Sequence, residues 1–374
     1  MKYYIIAGEA SGDMHAAHLI RFLKKKDGQA VVRGWGGDRM EAEGAEIVKH
    51  YRDLAFMGIV EVLTNIFTIL RNISFCKKDI LSFNPDVLIL VDYPGFNLRI
   101  AEFAHNKGFR VVYYISPQVW AWKKSRVHKI KRVVDQMLVI LPFEKDFYAK
   151  YGVEVEFVGH PLLDELREQP KINREDFLKK NNLEDRPIVA LLPGSRKQEI
   201  SKILRVMLEV TGDFPEYQFV IGVLSSIPHD FTRLFTEKRN VSVVYDQTGN
   251  LLQHAEAALV TSGTATLETA LKEVPEVVCY KANPVTVAIA RKIIHVRFIS
   301  LVNLIMDREV VKELIQSDLN YDNLSYELGL LLKDKNRLQQ LQADYKLLKE
   351  KFGKEGASER AATAIITHAP ADKK

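Results

Sequence analysis

Short apolar runs alternate with amphipathic stretches along the first half of the chain. The apolar runs predict β-strands at residues 3–7, 30–34, 87–91, 111–115, 137–141 and 155–158. Between them, apolar residues recur at helical spacing and predict helices at residues 15–25, 59–81, 98–106, 126–134 and 144–151. Alternation of strands and helices in this way indicates an α/β fold with a doubly wound parallel sheet.

The same alternation begins again after a break at Gly159-His160-Pro161. It predicts strands at residues 188–192, 219–223, 241–245, 257–260 and 277–280. It predicts helices at residues 200–210, 231–237, 251–255, 267–272 and 285–294. A long helical pattern follows at residues 324–352, with a break near Asp334.

The repeated pattern predicts two Rossmann-like domains, residues 1–163 and residues 164–344. Open parallel sheets bind ligands beyond the carboxyl ends of their strands, so we expect the two crevices to face each other across a cleft. The C-terminal segment, residues 345–374, could pack back on the first domain or pair with another chain, so a homodimer stays open.

Composition narrows the class of protein. The chain has 374 residues, of which 47% are hydrophobic, and a formal net charge of +5. This weak positive charge suits anionic substrates or a negative membrane surface, but it does not by itself argue for nucleic acid. Cys76 and Cys279 lie far apart and form no disulfide framework, which is typical of the cytoplasm. Residues 3–7 predict a first strand rather than a signal peptide.

Common nucleotide and metal motifs are absent from the sequence. No Gly-x-Gly-x-x-Gly follows the first predicted strand and no Walker A sequence occurs, which argues against dinucleotide oxidoreductases, ATPases and kinases. The chain also contains no Asp-x-Asp pair and no His-Glu-x-x-His. We therefore expect no metal and no cofactor, and a nucleotide would be held by arginine, lysine and backbone amides.

Small polar residues at 261–268 (TSGTATLE) mark a candidate nucleotide site. They connect a predicted strand to a predicted helix, whose amino end attracts phosphate. Glu268 lies about one turn into the helix and could accept hydrogen bonds from a ribose diol. Arg196 follows a Pro-Gly-Ser turn and could grip a phosphate, the alternative being a solvated arginine. The alternative for residues 261–268 is a helix start capped by Ser262 or Thr264.

Acidic residues follow two predicted strands of the first half. Glu9, Ser11 and Asp13 follow the first strand, where the alternative is a helix capped by Ser11 or Asp13. Asp92 directly ends an apolar strand, where a carboxylate is costly unless it has a partner or a purpose. It is therefore a candidate general base, the alternative being a turn-forming aspartate before Pro94.

Two tryptophans, Trp120 and Trp122, precede a basic run that includes Lys123 and Arg126. Together they could hold an anionic, partly apolar ligand. A nucleic-acid patch and a solvated helix face are the alternatives.

These segments together resemble the lipid-A-disaccharide synthase family. The match runs in order from about residue 5 to residue 316, and the combination is highly specific although each piece alone is weak. The segments are GEASGD at 8–13, FMGIVEV at 56–62, DYPGFN at 92–97, SPQVWAW at 116–122, LPFE at 141–144, VGHP at 158–161, LPGSR at 192–196 and SGTATLE at 262–268.

The resemblance implies a GT-B glycosyltransferase that binds its acceptor in the first domain and a UDP-sugar in the second. Such an enzyme joins UDP-2,3-diacylglucosamine to 2,3-diacylglucosamine 1-phosphate, forming the β-1,6 disaccharide of lipid A and releasing UDP. By this resemblance Asp92 is the base on the acceptor 6-hydroxyl, with Glu9 near the acceptor or assisting the base. The implied donor residues are Ser195, Arg196, Ser262, Gly263, Thr264, Glu268 and Asn303. The acceptor or lipid side is expected to include Ser11, Asp13, Met57, Trp120, Trp122, Lys123 and Arg126.

Two positions depart from the family pattern. Gly95 stands where many members have a second aspartate, which leaves Asp92 as the base. Val302 replaces a common proline, which leaves the role of Asn303 open.

Both implied substrates carry acyl chains, which suggests a role in lipid binding for the apolar stretch 54–70. This stretch precedes Arg71, Lys77 and Lys78. It is a candidate for peripheral attachment to the cytoplasmic surface of the inner membrane, the alternative being a core helix of the first domain. Other UDP-sugar enzymes of the same architecture, such as a peptidoglycan glycosyltransferase or an epimerase, remain rivals. So does a nucleotide-sugar or lipid-binding protein without catalysis.

Overall fold

The computed structural model describes residues 1–54, 66–122, 125–195, 197–235, 240–282 and 297–368. The chain divides into two compact units. Unit 1 comprises Met1–Asp164 and Lys354–Lys374, and unit 2 comprises Glu165–Gly353.

The described part of unit 1 contains a seven-stranded sheet in which every neighbouring pair is parallel. The strand order is β3-β2-β1-β4-β5-β6-β7, so the order reverses between β1 and β4. The strands are β1 Lys2–Ala7, β2 Val31–Gly36, β3 Glu46–His50, β4 Val87–Val91, β5 Arg110–Tyr114, β6 Gln136–Val139 and β7 Glu156–Phe157.

Helices follow most strands of unit 1, as the alternating pattern predicts. They are α1 Ala10–Lys26, α2 Asp38–Ala42, α3 Ile66–Phe83, α4 Pro94–Asn106, α5 Val119–Trp122, α6 Arg126–Val133 and α7 Glu144–Ala149. The next helix, α8 Leu162–Glu168, begins in unit 1 and ends in unit 2. A 3₁₀ turn spans Tyr51–Leu54. Of the apolar stretch 54–70, residues 55–65 lie outside the described residues.

The prediction missed β3, an edge strand. Its sequence, EIVKH, has too few apolar residues to stand out, and its residues are exposed or half-buried. By contrast, β4 is buried at every position, and β1 at all but Lys2. Strands buried on both faces read as continuous apolar runs, which is why the central strands were predicted well.

The last helix of the chain, α17 Ala357–Thr367, packs against α1 in unit 1. Asp164 accepts hydrogen bonds from the backbone N–H groups of Gly356 (2.5 Å) and Ser358 (3.1 Å), which satisfies the amino end of α17. Arg360 donates to the carbonyl of Val158 at 2.8 Å. These bonds tie residues 354–367 to unit 1.

The described part of unit 2 contains a six-stranded parallel sheet of order β10-β9-β8-β11-β12-β13, which reverses between β8 and β11. The strands are β8 Ile188–Leu192, β9 Gln218–Val223, β10 Val241–Tyr245, β11 Ala255–Thr261, β12 Glu276–Tyr280 and β13 Lys312–Ile315. The prediction missed β13, whose sequence KELI is short and half charged.

Most described helices of unit 2 overlap predicted ones, but the sequence pattern did not predict those at Arg174–Lys180 and Leu301–Met306. The described helices are α9 Arg174–Lys180, α10 Lys197–Glu209, α11 His229–Arg233, α12 Thr248–His254, α13 Thr264–Leu271, α14 Leu301–Met306, α15 Tyr321–Lys333 and α16 Lys335–Phe352. The predicted break near Asp334 is confirmed, because Asp334 separates α15 from α16 and caps α16 through the backbone N–H groups of Asn336 and Arg337. The helix predicted at residues 285–294 lies outside the described residues.

Candidate functional site

The candidate base in unit 1 lies at the reversal of strand order. In the register of β1 with β4, Ala7 pairs with Val91. The two strands therefore end next to each other, and the residues that follow them, Gly8 and Glu9 after β1 and Asp92 after β4, are neighbours. Ligands of open parallel sheets bind at such a position.

Asp92 and Tyr93 both adopt left-handed backbone conformations, with φ of 44° and 47°. Such a conformation costs about 1–3 kcal/mol for a residue other than glycine and persists only where the surroundings enforce it. The backbone N–H of Asp92 donates to the carbonyl of Tyr114 at 3.2 Å. The Asp92 carbonyl accepts from Asn97 Nδ2 at 2.8 Å and from the Tyr113 hydroxyl at 2.5 Å. Hydrogen bonds therefore hold both the N–H and the carbonyl of Asp92 in this turn.

The ring of Tyr93 lies directly on Gly8. A Cβ atom at Gly8 would fall 2.4 Å from two ring carbons of Tyr93, closer than any normal contact. Gly8 therefore makes room for the turn that carries Asp92.

Burial and a neighbouring negative charge give Asp92 a pKa that suits a general base. Burial, followed by the negative charge of Glu9, raises the pKa of Asp92 to about 6, while the Tyr93 amide and His15 act in the opposite direction. Burial and Glu9 also raise the pKa of Tyr93. A carboxylate whose pKa is nearer neutrality is a stronger base than an ordinary aspartate, yet it is still ionised at pH 7.

The other acidic residue of this segment, Asp13, lies in the first turn of α1 and is buried, with its carboxylate fully engaged in hydrogen bonds within unit 1. Its carboxylate accepts hydrogen bonds from the backbone N–H groups of Gly37 (2.6 Å), Arg39 (3.2 Å) and Met40 (3.2 Å). It holds the loop after β2 and the start of α2. The alternative that Ser11 or Asp13 caps α1 is wrong, because the residue before α1 is Glu9 and it makes no side-chain cap.

Two segments that are separate in the sequence, 116–122 and 141–144, form one buried cluster. The Ser116 hydroxyl bonds the Tyr148 hydroxyl at 2.8 Å, and the Trp120 ring meets Phe143 edge-on at 5.0 Å between centroids. Glu144 accepts from the backbone N–H groups of residues 140 and 141, and burial raises its pKa to about 7. Trp120 is itself buried, so it supports this cluster.

The other acceptor-side candidates are only partly described. Arg126 is half-buried at the start of α6, and burial lowers its pKa. Ser11 is half-buried in the first turn of α1. Met57 and Lys123 lie outside the described residues, as does the side chain of Trp122.

In unit 2 the candidate donor loops follow β8 and β11, which are neighbours. Gly194 has a left-handed φ of 105°, which glycine adopts readily. A Cβ there would lie 3.2 Å from a Glu199 carboxylate oxygen and 3.6 Å from Thr261 Cγ2, so the two loops touch. Ser195 is exposed next to them, and Arg196 lies outside the described residues.

Among the described residues, no side chain caps the amino end of α13. Gly263 is the residue before the helix, and no atom of the described residues lies within 4 Å of where a Cβ would stand. The alternative that Ser262 or Thr264 caps this helix is wrong, since the Ser262 hydroxyl instead donates to the carbonyl of Ile299 at 2.9 Å. Thr264 is exposed in the first turn. Uncapped N–H groups at a helix start are suited to a phosphate.

Glu268 is half-buried about one turn into α13. It accepts a hydrogen bond from Gln169 Nε2 at 3.3 Å. Burial raises its pKa, while Gln169 and the charge of Lys272 lower it. The Gln169 amide packs on Gly249, where a Cβ would fall 2.2 Å from its oxygen. Sequence reasoning missed Gln169, which carries no motif.

Asn303 is fully buried, and both polar atoms of its side-chain amide make two hydrogen bonds within unit 2. Its Nδ2 donates to the Val311 carbonyl (2.8 Å) and to Glu313 Oε1 (2.9 Å), and its Oδ1 accepts from the N–H groups of Val310 and Val311. Glu313 also accepts from the N–H groups of Ile299 and Ser300, so this network supports the loop that Ser262 contacts.

Comparison with known proteins identifies the family. Residues 3–367 match the family of lipid-A-disaccharide synthetases. The lipid-A-disaccharide synthase of Geobacter sulfurreducens is 41% identical over 372 residues, which cover 98% of this chain and 96% of the relative. That of Coxiella burnetii is 37% identical over 366 residues, covering 96% of each.

This chain belongs to the lipid-A-disaccharide synthetase family. It is therefore a glycosyltransferase of lipid A disaccharide synthesis.

Solved structures agree with the GT-B architecture expected of this family. UDP-GlcNAc 2-epimerase from Neisseria meningitidis, bound to UDP-GlcNAc, has a TM-score of 0.71 at 14% identity and covers 98% of this chain and 100% of its own. The glycosyltransferase of kitacinnamycin has a TM-score of 0.68 at 14% identity and covers 99% of each chain. Both likenesses concern the fold, which enzymes of different chemistry share.

The contact of Gly8 with Tyr93 gives a test of the turn that carries Asp92. We expect Gly8→Ala to displace the Tyr93 ring and lower turnover by about 10²-fold, the effect of misplacing a catalytic group by about 1 Å. Gly95→Ala is the matched control, because Gly95 lies close by in the first turn of α4 and a Cβ there would have no atom of the described residues within 4 Å. Turnover measured for both variants checks this, and equal turnover would show that the contact is unimportant.

Proposed function

We propose that this member of the synthetase family transfers diacylglucosamine from UDP-2,3-diacylglucosamine to the 6-hydroxyl of 2,3-diacylglucosamine 1-phosphate. The products are the β-1,6 disaccharide and UDP. The observation that carries the assignment of the chemistry is Asp92, a carboxylate held at the carboxyl end of a buried strand with a pKa raised to about 6.

In this mechanism Asp92 takes the proton of the acceptor hydroxyl as the oxygen attacks the anomeric carbon. Inversion follows, because the attack comes from the side opposite to the UDP leaving group. General-base catalysis of this kind contributes roughly 10²–10⁴ in rate. Burial has the larger effect on the pKa of Asp92, and the charge of Glu9 raises it further, which is the assisting role that we propose for Glu9.

Unit 2 supplies the stabilisation of the leaving group. We assign the pyrophosphate to Ser195, Arg196, Ser262, Gly263 and Thr264, and the ribose to Glu268. The open amino end of α13 supports this assignment, because partial positive charge there favours the charge that grows on UDP. With no Asp-x-Asp in the sequence, we propose that the pyrophosphate is held without a metal.

Three buried candidates have a supporting role. We propose that Asp13, Trp120 and Asn303 hold loops rather than touch substrate, because the Asp13 and Asn303 side chains are hydrogen-bonded, and the Trp120 ring is packed, inside their own unit. Ser11, Met57, Trp122, Lys123 and Arg126 remain our proposals for the acceptor side.

The direct test uses the purified protein and both lipid substrates. We expect UDP release and disaccharide formation in equal amounts, with or without EDTA. Asp92→Ala should abolish turnover and leave UDP affinity unchanged, since Asp92 lies in unit 1 and the candidate UDP residues lie in unit 2. Retained turnover in Asp92→Ala would refute the mechanism, and loss of activity with EDTA would refute the metal-free site.

The pH dependence of turnover gives a second test. Because the base must be ionised and its pKa is raised to about 6, we expect the rate to be half-maximal near pH 6 and to level off above about pH 7. Glu9→Gln removes a negative charge that raises this pKa, so the rising limb should move to lower pH. Glu41→Gln, an exposed residue of the same unit, should leave the limb in place. An unmoved limb in Glu9→Gln would show that Glu9 does not act on the base.

The exposed side of α3 suits a membrane surface. Phe67 is 83% exposed and Leu70 is 51% exposed, with Arg71 and Lys78 exposed on the same helix. Large apolar side chains beside cations are typical of helices that lie in the interface of anionic lipid. We therefore propose peripheral attachment to the cytoplasmic side of the inner membrane. No helix among the residues described here is long and apolar enough to cross a bilayer.

Charge substitutions on this face test the attachment. A fully buried Phe or Leu contributes about 1.5–3 kcal/mol, so Phe67→Asp with Leu70→Asp should weaken binding to anionic vesicles by about 10²-fold or more. Leu347→Asp is the control, since Leu347 is 47% exposed on α16 in unit 2. Vesicle sedimentation measures binding, and equal binding of all three proteins would refute the proposal.

A further inference from the structure

We propose that Tyr113 is a positioning residue for Asp92, acting together with Asn97 on the backbone carbonyl of Asp92. This inference rests on the proposed role of Asp92 as the base. It concerns how the base is held, and Tyr113 itself touches no substrate in this scheme.

The need for such a residue comes from the backbone. Asp92 and Tyr93 are consecutive residues with left-handed φ, and neither is glycine. Left to itself, this stretch would relax to a more common conformation and carry the carboxyl of Asp92 away from the sheet edge. Something must hold the peptide group between Asp92 and Tyr93.

Two buried donors meet at that peptide group. Tyr113 lies on β5, the neighbour of β4, is fully buried, and donates its hydroxyl to the Asp92 carbonyl at 2.5 Å. Asn97 lies in the first turn of α4, is fully buried, and donates from Nδ2 to the same carbonyl at 2.8 Å and to the Val91 carbonyl at 3.2 Å.

The Tyr113 hydroxyl keeps its proton under working conditions. Burial, aided by the charge of Asp92, raises its pKa well above the ordinary value for tyrosine. It is therefore a permanent donor, and its bond draws the turn towards β5 while Asn97 draws it towards α4. With the carbonyl held from both sides, the Asp92 carboxyl has little freedom beyond its own side-chain torsions.

The test compares Tyr113→Phe with Tyr4→Phe. Both remove a hydroxyl that a fully buried tyrosine of unit 1 donates, and Tyr4 bonds Asp79 at 2.7 Å, away from Asp92 in sequence and sheet position. We expect Tyr113→Phe to lower kcat by about 10- to 100-fold with both KM values unchanged, since substrate contacts are intact and only the base is displaced. Tyr4→Phe should keep the wild-type kcat.

The pH–rate profile separates positioning from general destabilisation. In Tyr113→Phe the base is freer to reach solvent, so the rising limb should move below its position near pH 6, although Glu9 and His15 still face Asp92. Thermal unfolding of both variants provides the stability reference. If Tyr113→Phe matches Tyr4→Phe in kcat and in pH profile at equal loss of stability, Tyr113 is merely structural and the inference is wrong.

Asp92→Ala distinguishes this failure from failure of the mechanism. If Asp92→Ala is inactive while Tyr113→Phe behaves like Tyr4→Phe, only the positioning role of Tyr113 is refuted. If Asp92→Ala remains active, the assignment of Asp92 as the base is refuted, and the positioning role loses its premise.

Discussion

The register of two pairs of buried parallel strands governs everything else in this protein. β1 pairs with β4 in unit 1 and β8 pairs with β11 in unit 2, and each pair lies where the strand order reverses. Their side chains are buried on both faces almost throughout, so a slip by one residue would exchange the side chains that pack on the two faces of the sheet. Register in turn decides which loop residues meet at the carboxyl ends.

Burial distinguishes the polar residues that hold loops from those that we propose to bind a ligand. Asn97 and Asn303 are fully buried, Asp13 is nearly so, and each bonds backbone groups of its own unit. Asp92 and Glu268 are half-buried, and Thr264 is exposed. An unpaired buried polar group is costly, and most side-chain polar atoms of the buried set have partners within their unit, although Asn97 Oδ1 has none among the described residues. We propose that the partly exposed set binds substrate.

The electrostatics of the two candidate sites are matched to opposite tasks. In unit 1, burial and the neighbouring charge of Glu9 make Asp92 a better proton acceptor. In unit 2, a helix start without a side-chain cap and small residues provide N–H groups and partial positive charge, which we propose stabilise the leaving diphosphate. Family membership shows the glycosyl transfer itself, and the division of its tasks between these residues is our proposal.

The central strands, the break at Asp334 and the family could be predicted from the sequence, because continuous apolar runs and ordered motifs are local signals. The edge strands β3 and β13 could not, since charged residues interrupt their short apolar patterns. Motifs placed Asp92 at a strand end, but only tertiary contacts showed its left-handed turn, the Tyr113 and Asn97 bonds on its carbonyl, and the saturation of Asn303. The sequence by itself determined which strands are buried and which residues follow them. The packing of distant segments decided which of those polar groups are already bonded, because hydrogen-bond partners far apart in the chain meet only in the folded protein.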